Sequence, residues 1–205
     1  MNRQIFLYAA PVFALAFFAG LAFDLLWLRV VTKPLVVLSL ALALLPATEK
    51  FDRLILTAFV FSAAGDLLLE LPYDLFTEGL VAFLTAHVFF IWAFLTRDKR
   101  FDAMSLIIIA AFGAAEYAFL LPHLGEMKIP VLMYLIVILL MTWRAYVQRN
   151  FNPYAKFAFY GAVAFVLSDS LIALNRFVEP VCCARWIIML LYWTAQALIF
   201  LSAKK

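Results

Sequence analysis

Eight stretches of mostly apolar sequence, separated by short polar breaks, run through the chain from end to end, and that alternation leaves it one solvent to fold in. A helix of roughly 20 residues, rising 1.5 Å per residue, matches the ~30 Å hydrocarbon core of a bilayer. In hydrocarbon each backbone N–H and C=O must be paired within the protein, which a helix does for itself. The stretches lie near 4–23, 31–47, 53–71, 77–96, 103–121, 129–147, 155–175 and 184–202. Between the later ones fall Pro46 to Arg53, Leu71 to Asp74, Arg97 to Asp102, Pro122 to Lys128, Gln148 to Pro153 and Asn175 to Arg185, which carry the Pro, Asn, Asp and charged residues that interrupt helices. The second stretch is the shortest. The reading is an all-α fold, a polytopic membrane helix bundle of about eight transmembrane helices, organised as a single transmembrane domain over 1–205. With 68% hydrophobic and 14% charged residues, a soluble domain would lack the polar surface to cover its core.

The first stretch, Ile5 to Phe23, ends in the small residues Ala19-Gly20-Leu21-Ala22, as a signal peptide would. Seven further apolar stretches make a bundle in either case, and the simpler reading keeps it as the first helix. Eleven of the sixteen Lys and Arg fall on the side that holds both termini, and Arg29, Lys33, Lys128, Arg176 and Arg185 fall on the other. The positive-inside bias therefore puts both termini in the cytoplasm. The slight basic excess is no nucleic-acid footprint, so nucleic acid is excluded as a partner. Cys182 and Cys183 are adjacent, a spacing that rarely bridges without strain, and no disulfide framework follows from them.

Ionisable groups inside a bilayer are costly, so each is a functional hypothesis. Asp66 lies in the third stretch, Asp169 in the seventh, Glu116 in the fifth and His87 in the fourth. Lys33 opens the second, followed by Pro34; Gln196 lies in the eighth, one turn after Tyr192. If alternate helices run outward, Asp66, Glu116 and Asp169 fall about two-thirds of the way along theirs, Lys33 reaches the same outer end, and His87 and Tyr192 lie near the midplane. Groups on six helices would then share one band, from the midplane to the outer side. Structural roles stand beside this reading. Gln196 and Ser62 suit helix–helix hydrogen bonds, Lys33 suits snorkelling to the interface, and His87 alone suits a hydrogen-bonded bundle residue better than a metal ligand. Asp66 and Asp169 read as functional, Glu116 is evenly balanced, and His123, beside Pro122, reads as solvated. Asp66 and Asp169 also stand four helices apart, each after a small residue (Gly65, Ser168), a spacing compatible with an ancient four-helix duplication.

The chain resembles the YhhN family of membrane lysoplasmalogenases along nearly its whole length. The matching pieces are Lys33-Pro34-Leu35, Phe61-Ser62-Ala63-Ala64-Gly65-Asp66, and Gly79 through Phe83 to His87. Later come Gly161-Ala162-Val163-Ala164-Phe165-Val166-Leu167-Ser168-Asp169 and Tyr192-Trp193-Thr194-Ala195-Gln196. Each is short, but five in order on separate helices are fairly specific. One departure is Phe90, where family members often carry a tyrosine one turn after the histidine. The resemblance implies hydrolysis of the vinyl ether bond of lysoplasmalogens, giving a fatty aldehyde and a glycerophospho-ethanolamine or -choline. It also implies a lysophospholipid substrate met in the bilayer.

A vinyl ether is cleaved by protonating its β-carbon, which generates an oxocarbenium ion; water adds, and the hemiacetal falls apart to aldehyde and alcohol. Two carboxyls in different surroundings can supply the acid and the negative partner, as in glycoside hydrolysis. Asp66 and Asp169 are the candidates, with their order undecided, since a coupled pair shares its titration. Lys33 is a candidate for the lipid phosphate, and His87, Glu116, Ser168, Tyr192 and Gln196 for substrate binding or water positioning. This chemistry requires no metal and no cofactor. The alternatives are a proton-coupled transporter or a non-catalytic lipid-binding membrane protein. A transporter is disfavoured because its broken helices need interior Gly and Pro, whereas Pro here, Pro11 excepted, reads as lying at or near helix ends. A metal-dependent hydrolase would need more intramembrane histidine than His87. Short loops and the basic cytoplasmic bias suit a bacterial inner membrane, and would also fit the endoplasmic reticulum. Oligomeric state is not readable from these residues.

Overall fold

Every long apolar stretch becomes one helix. The computed structural model describes residues 3–204, and over them the chain forms α1 (Arg3–Ala22), α2 (Leu26–Ala43), α3 (Lys50–Glu70), α4 (Phe76–Arg97), α5 (Ala103–Leu120), α6 (Lys128–Val147), α7 (Lys156–Ala173) and α8 (Ala184–Ser202). No strand occurs among the described residues. Lys205, counted above in the basic bias, lies outside them. Seven helices are long and apolar enough to cross a membrane, and the protein is an integral membrane protein with an all-helical fold. The exception on composition is α3, which has 21 residues but carries Lys50, Asp52, Arg53, Asp66 and Glu70. Its Ser62, Asp66 and Glu70 are buried in protein, the one setting in which a membrane helix holds such groups.

The second helix departs most from expectation. It starts at Leu26 rather than near residue 31 and ends at Ala43 rather than near 47. Arg29 therefore belongs to the helix, and Lys33 lies almost midway along it instead of opening it. Pro34 also sits inside α2, so the expectation that prolines other than Pro11 keep to helix ends fails there, while Pro11 lies inside α1 as its exception foresees. A helix charge is affordable in apolar surroundings only when a partner neutralises it, and that partner, described below, comes from α3.

The chain divides into two compact units, Met1–Ala93 and Phe94–Lys205. In the first, α1 packs on α2 and α2 on α3. The crossing of α3 and α4 is made close by glycine. A Cβ on Gly65 would stand 2.6 Å from two ring carbons of Phe83, and one on Gly79 would stand 2.5 Å from a Leu69 methyl. Below the crossing, Phe61 stacks on Phe89 at 5.5 Å and Phe59 meets Phe90 edge-on at 5.9 Å. Phe90 is fully buried in this aromatic contact, so its ring needs no hydroxyl partner.

In the second unit, α7 and α8 pack most extensively, again through a glycine. A Cβ on Gly161 would lie 2.8 Å from the backbone oxygen of Ala195, an atom that cannot swing aside as a side chain can. Gly161→Val should therefore destabilise the protein by about 1–3 kcal/mol through overpacking, read as a lower Tm in detergent; an unchanged Tm would show that the helix pair tolerates wider spacing. The loop between α4 and α5 is held by the end of α6. Arg144 donates to the carbonyls of Arg100 (2.8 Å) and Asp98, and the Trp143 indole donates to that of Asp102 at 3.0 Å. In this loop Arg100 hydrogen-bonds Asp98 and holds its carboxyl below the ordinary aspartate range. His123, in a 3-10 turn after α5, is exposed, as its sequence suggests. Cys182 and Cys183 are free thiols.

Candidate functional site

In the first unit the site candidates gather on α2, α3 and α4. Asp66 is 1% exposed and stands four residues before the end of α3. One turn beyond it, Glu70 points into protein and accepts from Arg29 Nε at 3.0 Å and from Lys33 Nζ at 3.3 Å. Arg29 and Lys33 are themselves one turn apart on α2, so one carboxylate faces both cations. Arg29 is further tied to the carbonyl of Gly20 at 3.3 Å and to exposed Asp24 at 2.9 Å. Lys33 is held more loosely. An ammonium has three N–H donors, and among the described residues Glu70 is the partner of Lys33. His87, midway along α4, is fully buried with its ring 6.4 Å from that of Phe90.

In the second unit the candidates lie on α5, α6, α7 and α8. Glu116 and Asp169 each stand four residues before the end of their helices. That is the same register as Asp66, and nearer the helix end than two-thirds. The Tyr134 hydroxyl of α6 donates to Asp169 Oδ2. Glu116 reaches the same neighbourhood from α5, within interaction range of Asp169 and Ser170, and its Oε2 is buried without a hydrogen-bond partner. Ser168, a candidate for substrate contact, spends its hydroxyl on the carbonyl of Ile188 at 3.2 Å and so joins α7 to α8. Tyr192 is buried and meets Phe165 edge-on at 5.3 Å.

Gln196, one turn further along α8, is fully buried, and neither its amide oxygen nor its nitrogen has a hydrogen-bond partner. Ser62 Oγ in the first unit is in the same condition. The helix–helix hydrogen bonds expected for these two residues are absent. A buried amide left unpaired costs about 1–3 kcal/mol per group, and native proteins keep such groups where water or a ligand completes them.

Arg29, Glu70 and Tyr134 are the residues that sequence reasoning passed over. Glu70 and Arg29 read as loop-edge charges, and a tyrosine in an apolar stretch reads as an interfacial aromatic. A signal for the first pair did exist: two cations one turn apart on a membrane helix demand a buried anion. Nothing local marks Tyr134. Among the described residues no three His, Cys, Asp or Glu side chains gather as a metal cage would.

The YhhN family model matches residues 28–203, a range that includes every candidate named here. The chain is 35% identical over 183 residues to lysoplasmalogenase TMEM86B of Homo sapiens, covering 88% of this chain and 77% of that one. It is 32% identical over 182 residues to the Sus scrofa protein of the same name, covering 87% and 76%. To the lysoplasmalogenase of Mycobacterium tuberculosis it is 33% identical over 135 residues, covering 62% of this chain and 51% of that one. No solved structure matches the chain.

Proposed function

Because the chain belongs to the YhhN family, we propose that it is a lysoplasmalogenase, an intramembrane hydrolase that converts a lysoplasmalogen and water to a fatty aldehyde and a glycerophospho-ethanolamine or -choline. The observation that carries this reading is the agreement of two independent facts. Relatives with this name align over most of the chain, and the aligned region holds the buried carboxyl of Asp66 and the half-buried one of Asp169.

In this reading Asp66 and Asp169 are the catalytic carboxyls. One delivers a proton to the vinyl β-carbon, and the other stabilises the oxocarbenium ion and receives a proton from the attacking water; as the hemiacetal C–O bond breaks, that proton passes to the departing alcohol oxygen and the hemiacetal hydroxyl proton reloads the acid. Lys33, with donors to spare, takes the substrate phosphate, and Glu70 aims it. His87, Glu116 and Tyr192 shape the surroundings. The unpaired amide of Gln196 supports a role in holding the water that hydrolysis consumes. Replacing it tests that role by a trade-off. Gln196→Met should raise the Tm, because an unsatisfied buried group is removed, while kcat falls about tenfold or more. A Tm that drops together with activity would instead mark the amide as structural.

The division into two units falls inside α4, with no linker at that point, which supports reading 1–205 as a single transmembrane domain. The basic bias supports cytoplasmic termini, with the carboxyls toward the outer half of a membrane such as the bacterial inner membrane.

The direct test is aldehyde release from lysoplasmenyl-ethanolamine by detergent-purified protein, beside a 1-acyl lysophospholipid. Aldehyde from the vinyl ether, with the acyl ester left intact, is the expected result. A folded protein that releases none would turn the search to other lipids and to transport.

A further inference from the structure

Tyr134 belongs to none of the family-like motifs, yet it is buried at 8% exposure on α6 and gives its hydroxyl hydrogen bond to Asp169. We propose that Tyr134 is a positioning residue that fixes Asp169 as the carboxylate of the reaction and leaves proton donation to Asp66. This rests on the lysoplasmalogenase reading above and resolves the order of the two aspartates, which the sequence leaves undecided.

A phenol donating to a carboxylate makes a charge-assisted hydrogen bond, which stabilises the ionised acceptor over the neutral acid. Glu116 approaches Asp169 from α5, with the Ser170 hydroxyl beside it. Tyr134 donates to Asp169, whereas Glu116 Oε2 receives no hydrogen bond, so Asp169 is the carboxyl of the two that the phenol holds. Asp169 so held is oriented to serve as a counter-ion. Its charge faces the oxocarbenium ion, and its lone pair accepts the proton that water releases as it adds. The β-carbon must then be protonated by a group that starts the cycle as an acid, and of the two aspartates that is Asp66.

The experiment combines kinetics on full-length protein in detergent micelles, with lysoplasmenyl-ethanolamine as substrate, and infrared difference spectra of the resting protein without substrate. Tyr134→Phe should lower kcat by about 10–100-fold, the size of one hydrogen bond to a charged group. KM should stay within about twofold, since the phenol acts through Asp169 and not on the lipid. In the infrared, Asp169→Asn should remove a carboxylate stretch, and Asp66→Asn the carbonyl stretch of a protonated carboxyl. A Tyr134→Phe enzyme with unchanged kcat, or with its loss in KM, overturns the proposal. So does an infrared assignment with the two aspartates exchanged. Should Tyr134→Phe fail to fold, the infrared comparison of the aspartate variants still decides. Absence of aldehyde from wild type defeats the lysoplasmalogenase reading alone, because the resting spectra report the carboxylate assignment without turnover.

Discussion

Asp66→Asn and Asp169→Asn should each lower aldehyde release by about 10²–10⁴-fold, the range that a positioned acid or base contributes, while leaving the protein folded. Asparagine keeps the shape of aspartate and its hydrogen-bonding edge, but it can neither deliver a proton to carbon nor carry the negative charge that faces an oxocarbenium ion. The packing around each site allows the exchange. Asp66 is enclosed at 1% exposure beside the glycine crossing of α3 and α4, and an isosteric side chain creates neither cavity nor clash there. Asp169→Asn retains an amide oxygen to accept from Tyr134. Both variants should therefore elute as wild type in size exclusion and melt within a few degrees of it. Turnover near the wild-type rate in either variant would remove that aspartate from the mechanism. Loss of folded protein in either would recast it as a structural residue.

Removal of Glu70 should have the largest effect on stability. Glu70→Ala leaves Arg29 and Lys33 buried with no carboxylate between them. Breaking a buried ion pair on one side costs about 3–5 kcal/mol, because the charges left behind have already been taken out of water. Asp24 is no substitute, since its side chain is 95% exposed and meets only Arg29. The expected result is a markedly lower Tm in detergent and a poor yield of monodisperse protein. Lys33→Met should behave differently. Arg29 remains to neutralise Glu70, so the fold persists, and the loss falls on the substrate phosphate as a raised KM with kcat little changed. A Glu70→Ala protein as stable as wild type would show that the pairs contribute nothing net. Unchanged kinetics in Lys33→Met would remove the phosphate role.

The contrast between these two variants bears on what could be read without coordinates. Asp66, Asp169, Glu116 and His87 were legible one by one, because a charge or an imidazole inside an apolar stretch is conspicuous. Their partners were not. Glu70 lies 41 residues from Arg29 and 37 from Lys33, and Tyr134 lies 35 from Asp169; no local pattern links residues so far apart. The misplaced start of α2 has the same cause. With no sign of an anion nearby, Arg29 belongs in a loop; with Glu70 against it, the helix runs through. Ser168 likewise has a partner that the sequence does not show. Its place before Asp169 suggested the site, yet its hydroxyl is used by the backbone of α8.

The sequence by itself determined the class of protein, the eight helices and most of their limits, the family, and the carboxyls set within apolar stretches. These follow from hydropathy, length and residue type, which act locally along the chain. Tertiary structure decided which cations share Glu70, which carboxyl receives the Tyr134 hydroxyl, and which buried amide, Gln196, is left with nothing to bond. Those are matters of distance between helices, and electrostatics in a low-dielectric interior turns on distance.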